Sequence, residues 1–222
     1  MAVAGFRAIN ATMQNTWQLL NFLKNAERRQ LILNSVTEFK QAKDGGIVNT
    51  MVLTYQALHD YYRFGNKRLN KLRECVKKRA EAFEKLTNEE KEKSFNAMRD
   101  KLLDNVLKMQ LTDDFIIHLI KTLGVKGKCR TMAEMAISYM YVMTMMSLWE
   151  DFKFKKDDIQ FLQKKIKEYV FVIKENDDIN ICSFMKCLKL ECGWRFKSLD
   201  RYEKEYGKID IGPKHAIYEL TI

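Results

Sequence analysis

The residues best suited to binding chemistry are the cations of residues 63–79. This run contains eight Lys and Arg side chains and a single acid, Glu74. Its apolar residues recur at the i, i+3, i+7, i+11 and i+14 spacing of one helical stripe: Leu69, Leu72, Val76, Ala80 and Phe83. Lys67, Lys71 and Lys78 then lie opposite this stripe. Ammonium groups repeated at helical pitch match a row of phosphates, so the run predicts an anion-binding helix.

A second basic segment, residues 153–167, contains six Lys and two Asp. It belongs to an internal repeat, because residues 52–77 align without a gap on residues 142–167 at an offset of 90 residues. Each copy reads as an apolar helix, a kink with aromatic and cationic residues, and a basic amphipathic helix. The identical pairs are Val52/Val142, Thr54/Thr144, Leu58/Leu148, Phe64/Phe154, Leu72/Leu162 and Lys77/Lys167. The repeat predicts two related helical modules packed against each other, and the alternative is the likeness that amphipathic helices share by pattern alone.

The two basic helices together predict one continuous surface for nucleic acid or for an acidic partner. Arg68 and Arg73 suit bidentate contacts with phosphate. The candidate binding residues are Arg63, Lys67, Arg68, Lys71, Arg73, Lys78, Lys153, Lys156, Lys164 and Lys165. The alternative is that these cations only form the solvated face of amphipathic helices. No zinc-finger, homeodomain or RNA-recognition pattern is present, so we expect any nucleic-acid binding to be backbone-directed and salt-dependent.

Aromatic residues alternate with charges at the kinks of both copies, in residues 59–65 and 149–154. Exposed rings beside Arg or Lys would stack on bases or anchor a protein partner. The alternative is that the rings pack the turn between two helices. We favour packing, because bulky apolar residues at matching positions usually belong to a core. The rings concerned are Tyr62, Phe64, Phe152 and Phe154.

Cysteine and histidine residues offer little further chemistry. Cys182, Cys187 and Cys192 are five residues apart, and on a helix such steps turn by about 140° each, so the three thiols do not converge on one metal. We interpret them as small buried hydrophobes, and His118, among apolar neighbours, as a core residue. The three histidines are isolated from one another along the sequence: His59, His118 and His215.

Enzyme signatures are otherwise missing from the sequence. It has no Gly-rich phosphate loop and no Gly-x-Ser-x-Gly elbow. Adjacent carboxylates occur at residues 113–114, 157–158 and 177–178. We interpret them as helix starts, where the positive end of the helix dipole stabilises acidic side chains. We therefore predict no catalytic residues, no metal site and no cofactor.

Composition indicates a mostly α-helical protein with anionic partners. The net charge is +10 with a pI near 9.3, and one proline and nine glycines leave few helix breakers. Five cysteines, an odd number, indicate a reducing compartment, and residues 1–7 lack a signal-peptide pattern. The most apolar stretch, residues 132–149, contains Glu134 and is shorter than the roughly 20 apolar residues of a spanning helix. We expect a cytoplasmic protein with no membrane partner.

The predicted architecture is an all-α, bundle-like domain of two modules. It consists of a long N-terminal helix in residues 1–46, helical module 1 in residues 47–125, helical module 2 in residues 131–206 and a short extended tail in residues 207–222. The first helix, from about residue 11, is expected to end at Gly45 and Gly46, which release the backbone. Helix starts are predicted at the Thr87/Glu90 and Thr131/Glu134 capping boxes and at Asp157.

Residues 58–69, Leu-His-Asp-Tyr-Tyr-Arg-Phe-Gly-Asn-Lys-Arg-Leu, resemble a recurring pattern in uncharacterised small helical proteins of bacteriophages and prophages of Gram-positive bacteria. The shared elements are Leu-His-Asp, Phe-Gly and Lys-Arg-Leu. The resemblance implies a mobile-element origin, where small helical proteins often modify host or defence machinery. It brings no established activity and no site residues.

These features predict a protein that acts by binding and not by catalysis. The leading hypothesis is a phage-type accessory factor that engages nucleic acid or a nucleoprotein complex through its basic helices. A second is a stoichiometric protein inhibitor of a host defence complex, such as a CRISPR effector. A third is a structural or virion component whose charge serves solubility. Metal-dependent catalysis has the least support.

Overall fold

The computed structural model describes residues 26–105, 119–120, 125–176 and 178–211. These ranges contain helices and connecting segments but no strand, which confirms the all-α prediction. The helices are α1 Ala26–Tyr62, α2 Asn66–Glu84, α3 Asn88–Asn105, α4 Gly127–Glu150, α5 Lys156–Glu175, α6 Ile181–Cys192 and α7 Lys197–Tyr206. The predictions for residues 106–118, for His118 and for the tail beyond residue 211 lie outside the described residues.

Helix α1 continues through Gly45 and Gly46, so the predicted helix end at these glycines is wrong. Gly46 instead allows α1 to approach α4. A Cβ atom at this position would lie 3.0 Å from the Ala133 carbonyl oxygen and 3.2 Å from Ile137 Cγ1. The approach of two backbones, and not a turn, explains why glycine is tolerated inside this helix.

Two predicted helix starts are also wrong. Helix α4 begins at Gly127, which places Thr131 inside the helix and shortens the expected linker. At the start of α5 the capping carboxylate is Asp158, which accepts a hydrogen bond from the Lys155 backbone N–H at 2.9 Å, and not Asp157. At α5 a neighbouring carboxylate satisfies the predicted capping rule, whereas α4 begins after Lys126 without a side-chain cap.

Other local predictions are confirmed. Thr87 and Glu90 form the expected capping box before α3, with the Thr87 backbone N–H donating to Glu90 Oε2 at 2.8 Å. Residues 132–149 lie in α4, much of which is buried, as expected for a core helix. No helix in the described part of the chain combines the length and the apolar character needed to cross a membrane. The apolar stripe of α2 faces the core through Leu69, Leu72, Val76 and Phe83.

The internal repeat is visible in backbone conformation. Arg63 and Lys153, 90 residues apart, are the non-glycine residues with positive φ in the described chain, at 53° and 59°. Each follows the end of a helix, α1 or α4. The Phe64 N–H donates to the Leu58 carbonyl at 3.1 Å, and Phe154 donates to Leu148 at 3.0 Å in the same way. Both helices therefore end in the same left-handed C-terminal motif.

Contacts across the two modules are reciprocal. The Tyr62 and Phe154 rings lie 4.8 Å apart, and the equivalent pair with the modules exchanged, Phe64 and Phe152, lies 5.5 Å apart. Reciprocal contacts are what an approximate two-fold relation produces. Gly46 of α1 meets the early part of α4, and the ends of both helices meet at these rings, so α1 and α4 run parallel. The two helix junctions, residues 63–65 and 151–155, therefore lie side by side.

Arg79 ties α2 to the end of α4. Its guanidinium lies 2.8 Å from Glu150 Oε2 and 3.1 Å from Asp151 Oδ2, while Lys101 Nζ lies 2.7 Å from Glu150 Oε1. Hydrogen bonds from Lys101 and then Arg79 hold the pKa of Glu150 below its usual value. The ionised form of Glu150 therefore links three helices, and Arg79 is engaged inside the protein.

We expect a Glu150→Gln variant to lose part of the acid sensitivity of folding. Because the pKa of Glu150 is lower in the folded than in the unfolded chain, its contribution is present above its ordinary pKa of 4.5 and disappears as the pH falls through the folded value. The Glu150 side chain is one-third exposed, so solvent screening limits its contribution to the free energy of unfolding to at most about 1 kcal/mol. Urea unfolding at several pH values between neutral and acidic measures it. An identical pH dependence in both proteins would contradict the assignment.

Candidate functional site

The side-by-side junctions bring exposed cations from both modules to one end of the α1–α4 pair. We call this the junction surface, and its residues are Arg63, Lys67, Arg68, Lys71, Lys153, Lys155 and Lys156, all exposed. Six of them were predicted from the sequence. Lys155 is the one residue of the junction surface that was not predicted from the sequence, although it stands beside Lys156 in the same basic run. The two basic segments therefore approach each other at the junctions.

The aromatic rings lie beneath these cations. Phe64 and Phe154 are buried, while Tyr62 and Phe152 are half-buried, which confirms that the rings pack the junctions. Tyr62 also donates to the Asp158 carbonyl at 2.9 Å, and burial raises its pKa to about 12. Because the rings pack within the protein, they support the cations and are not available to stack on bases.

Two cations of α2 are positioned by these rings. The Arg68 guanidinium carbon lies 3.8 Å from the Phe64 ring centroid, and its Nη1 donates to the Tyr62 carbonyl at 3.2 Å. Lys71 Nζ lies 5.6 Å from the centroid of Phe152, in the other module. These contacts favour the cation over the ring face and leave the charge at the surface. Module 1 therefore contributes cations to the edge of module 2.

Arg63 and Lys153 occupy a backbone conformation that favours glycine. A non-glycine residue in the left-handed region costs on the order of 1 kcal/mol. Among the described helices, α6 ends with an equivalent hydrogen bond, from the Trp194 N–H to the Leu188 carbonyl, and has Gly193 at the left-handed position with a φ of 67°. The chain thus places glycine at one such position and a cation at both positions of the junction surface. The two cations are exposed, so packing does not account for them.

The charge of the junction surface is largely uncompensated. None of its cations has a carboxylate partner within ion-pair distance among the described residues. The nearest acids along the chain to its lysines of module 2 are Asp151, Asp157 and Asp158. Asp151 pairs with Arg79, and Asp158 caps α5 and accepts from Tyr62.

The other predicted cations lie apart from this cluster. Lys78 is exposed farther along α2, and Arg73 pairs with Glu74 at 3.5 Å. Lys164 and Lys165 lie 4.0 and 2.8 Å from the carboxylate of Glu168. Lys165 is also half-buried against aromatic rings of α1 and α5. The structure brings six of the ten predicted residues together and leaves these four outside the junction surface.

The cysteines are buried as expected, and one histidine is not isolated. Cys182, Cys187 and Cys192 are buried free thiols, and burial raises the pKa of Cys187 to about 12. His59, however, lies 3.2 Å from Cys192 Sγ through Nδ1 and 2.9 Å from Glu191 through Nε2. The histidines are isolated from one another along the sequence, but in the fold His59 lies beside Glu191 and Cys192 of α6. Chiefly through its contact with Cys192, the pKa of His59 rises to about 9.

Comparisons of the chain with protein-family models, curated proteins and solved structures find no match. The resemblance of residues 58–69 to phage proteins therefore stays a prediction.

Proposed function

We propose that this protein is a non-enzymatic accessory factor that binds the phosphate backbone of nucleic acid, free or in a nucleoprotein complex, through the junction surface. The observation that carries the proposal is the pair Arg63 and Lys153. Two equivalent helix ends each hold a cation in a conformation that glycine favours, and the fold places both at one surface. A local cost repeated at two exposed positions is typical of a functional requirement.

Backbone binding suits the chemistry of this surface. Lysine ammonium groups act as point charges toward phosphate, and Arg63 and Arg68 add forked donors. The rings beneath the cations are packed, and the sequence contains no zinc-finger, homeodomain or RNA-recognition pattern for reading base edges. The proposal is therefore binding with little base preference, in which released counterions supply the affinity.

The double variant Arg63→Gly/Lys153→Gly is expected to be more stable and to bind less tightly. Glycine relieves the left-handed backbone at both sites, which adds roughly 0.5 kcal/mol per site to the free energy of unfolding. Loss of two phosphate contacts weakens nucleic-acid binding by about tenfold or more. Urea unfolding and fluorescence anisotropy with a labelled oligonucleotide measure the two effects.

The matched control makes the opposite substitution, from glycine to a cation, at the end of α6. Gly193→Lys adds a cation at the same kind of backbone position, and a Cβ there meets only Asn66 Nδ2 at 3.6 Å. We expect it to lower stability by about 1 kcal/mol. Unchanged affinity in the double-glycine variant would contradict the role of Arg63 and Lys153. An acidic protein partner, such as a component of a host defence complex, would then be the better explanation of the surface.

A further inference from the structure

We propose that His59, Asp60 and Glu191 form a binding site for a divalent transition-metal ion. The three side chains come from the last turns of α1 and α6. One ligand atom from each residue, an imidazole nitrogen or a carboxylate oxygen, lies within 4.8 Å of the other two. One imidazole with two carboxylates suits ions such as Zn²⁺ and Mn²⁺, whereas Mg²⁺ and Ca²⁺ prefer oxygen ligands alone.

The spacing of His59 and Glu191 is close to that of two ligands on one ion. His59 Nε2 lies 2.9 Å from Glu191 Oε2. This buried oxygen has no hydrogen-bond partner among the described residues, so the two atoms are close without the alignment of an N–H donor. Ligand atoms that share an ion at about 2.1 Å stand about 3.0–3.4 Å apart. A small adjustment therefore lets both atoms bind one ion.

The other nitrogen of His59 is already fixed. Nδ1 lies 3.1 Å from the Phe64 carbonyl oxygen, which is a suitable acceptor for an N–H. Metal binding displaces the Nε2 proton of the protonated ring and leaves the Nδ1 proton in place, which is how histidine ligands of metals are usually held. The Cys192 thiol lies on the Nδ1 side, away from the proposed ion, and is not a ligand in this arrangement.

Asp60 is also supported by a second layer of hydrogen bonds. Its Oδ1 accepts from Gln56 Nε2 at 2.8 Å, and its Oδ2 accepts from the Tyr169 hydroxyl. A carboxylate oxygen has more than one lone pair, so a hydrogen bond to an oxygen does not prevent that oxygen from binding a metal. Gln56 is 3 % exposed, and its Oε1 has no hydrogen-bond partner among the described residues. An unpaired buried acceptor is costly, and a water bound to the proposed ion would be a suitable donor for it.

The test is calorimetric titration of Zn²⁺ into the full-length protein after removal of metals with a chelator. We expect one equivalent to bind with a Kd in the micromolar range or below and Mg²⁺ to produce no binding. Glu191→Gln and His59→Gln are expected to weaken Zn²⁺ binding by at least about 100-fold, more than the loss of a supporting residue does. Glu175→Gln, which changes an exposed carboxylate on α5, is the matched control and is expected to bind like the parent.

A second measurement on the parent protein keeps the proposal testable if a variant does not fold. Co²⁺ bound through nitrogen and oxygen ligands is expected to show weak visible bands and no intense thiolate charge-transfer band. An intense band would place Cys192 on the metal and overturn the proposed ligands. Absence of Zn²⁺ binding by the parent, or parent-like affinity in a folded Glu191→Gln variant, would overturn the site itself.

Discussion

Replacing Lys67, Lys71 and Lys153 together by Glu is expected to weaken the binding of duplex DNA by at least about 100-fold at physiological salt. The three side chains are exposed cations of the junction surface, drawn from both modules. Each reversal removes a phosphate contact and introduces repulsion at the same place. The measurement is fluorescence anisotropy with a labelled duplex and with a labelled single strand.

The matched control is Lys40→Glu/Lys43→Glu/Lys128→Glu. These lysines are also exposed, and the net charge changes by the same amount, but Lys40 and Lys43 lie near the middle of α1 and Lys128 lies at the start of α4. At 1.5 Å per residue they are roughly 30 Å from the junctions along the helix axes, well beyond the Debye length of about 8 Å. We expect a loss of less than about fivefold. Equal losses in both triple variants would show that net charge alone governs binding.

Truncation of Leu58 or of Leu148 to Ala is expected to lower the free energy of unfolding by about 3 kcal/mol in each case. Both side chains are fully buried, at 0 % exposure. Both residues also accept the hydrogen bond that closes a left-handed helix end, so they occupy equivalent positions in the two modules. The losses are therefore expected to be similar. Urea unfolding followed by circular dichroism measures them.

The exposed Leu190 provides the control, since its truncation to Ala removes a side chain that is 57 % exposed. Surface substitutions of this kind usually change stability by less than about 0.5 kcal/mol. A loss below about 1 kcal/mol for either buried leucine would contradict the packing described for that module.

Features fixed by neighbours along the chain were predictable from the sequence. The apolar stripe of α2 and the Thr87/Glu90 capping box depend on spacing of a few residues, and both occur as expected. The repeat predicted that residues near 63 and 153 have the same conformation. In the structure, residues 63 and 153 both have a positive φ, and an equivalent hydrogen bond closes the helix end at each site.

Features that depend on distant contacts were not predictable. Gly45 and Gly46 carry a strong local signal for a helix end, but the approach of α4 explains Gly46 within a continuous helix. His59 and Cys192 are 133 residues apart in the chain and become neighbours only when α6 packs beside the end of α1. By contrast, the pairs of Lys164 and Lys165 with Glu168 follow the i, i+4 and i, i+3 spacings of helix neighbours, so these two pairs were predictable from the sequence.

The measurement that tests the central claim most directly is the salt dependence of nucleic-acid binding by the unmodified protein. If five to seven cations of the junction surface contact phosphates, log K for duplex DNA falls against log salt with a slope of about −4.5 to −6. Fluorescence anisotropy at several salt concentrations gives this slope. A slope in that range supports a backbone-binding surface, whereas no binding at low salt, or a slope shallower than about −1, would contradict it.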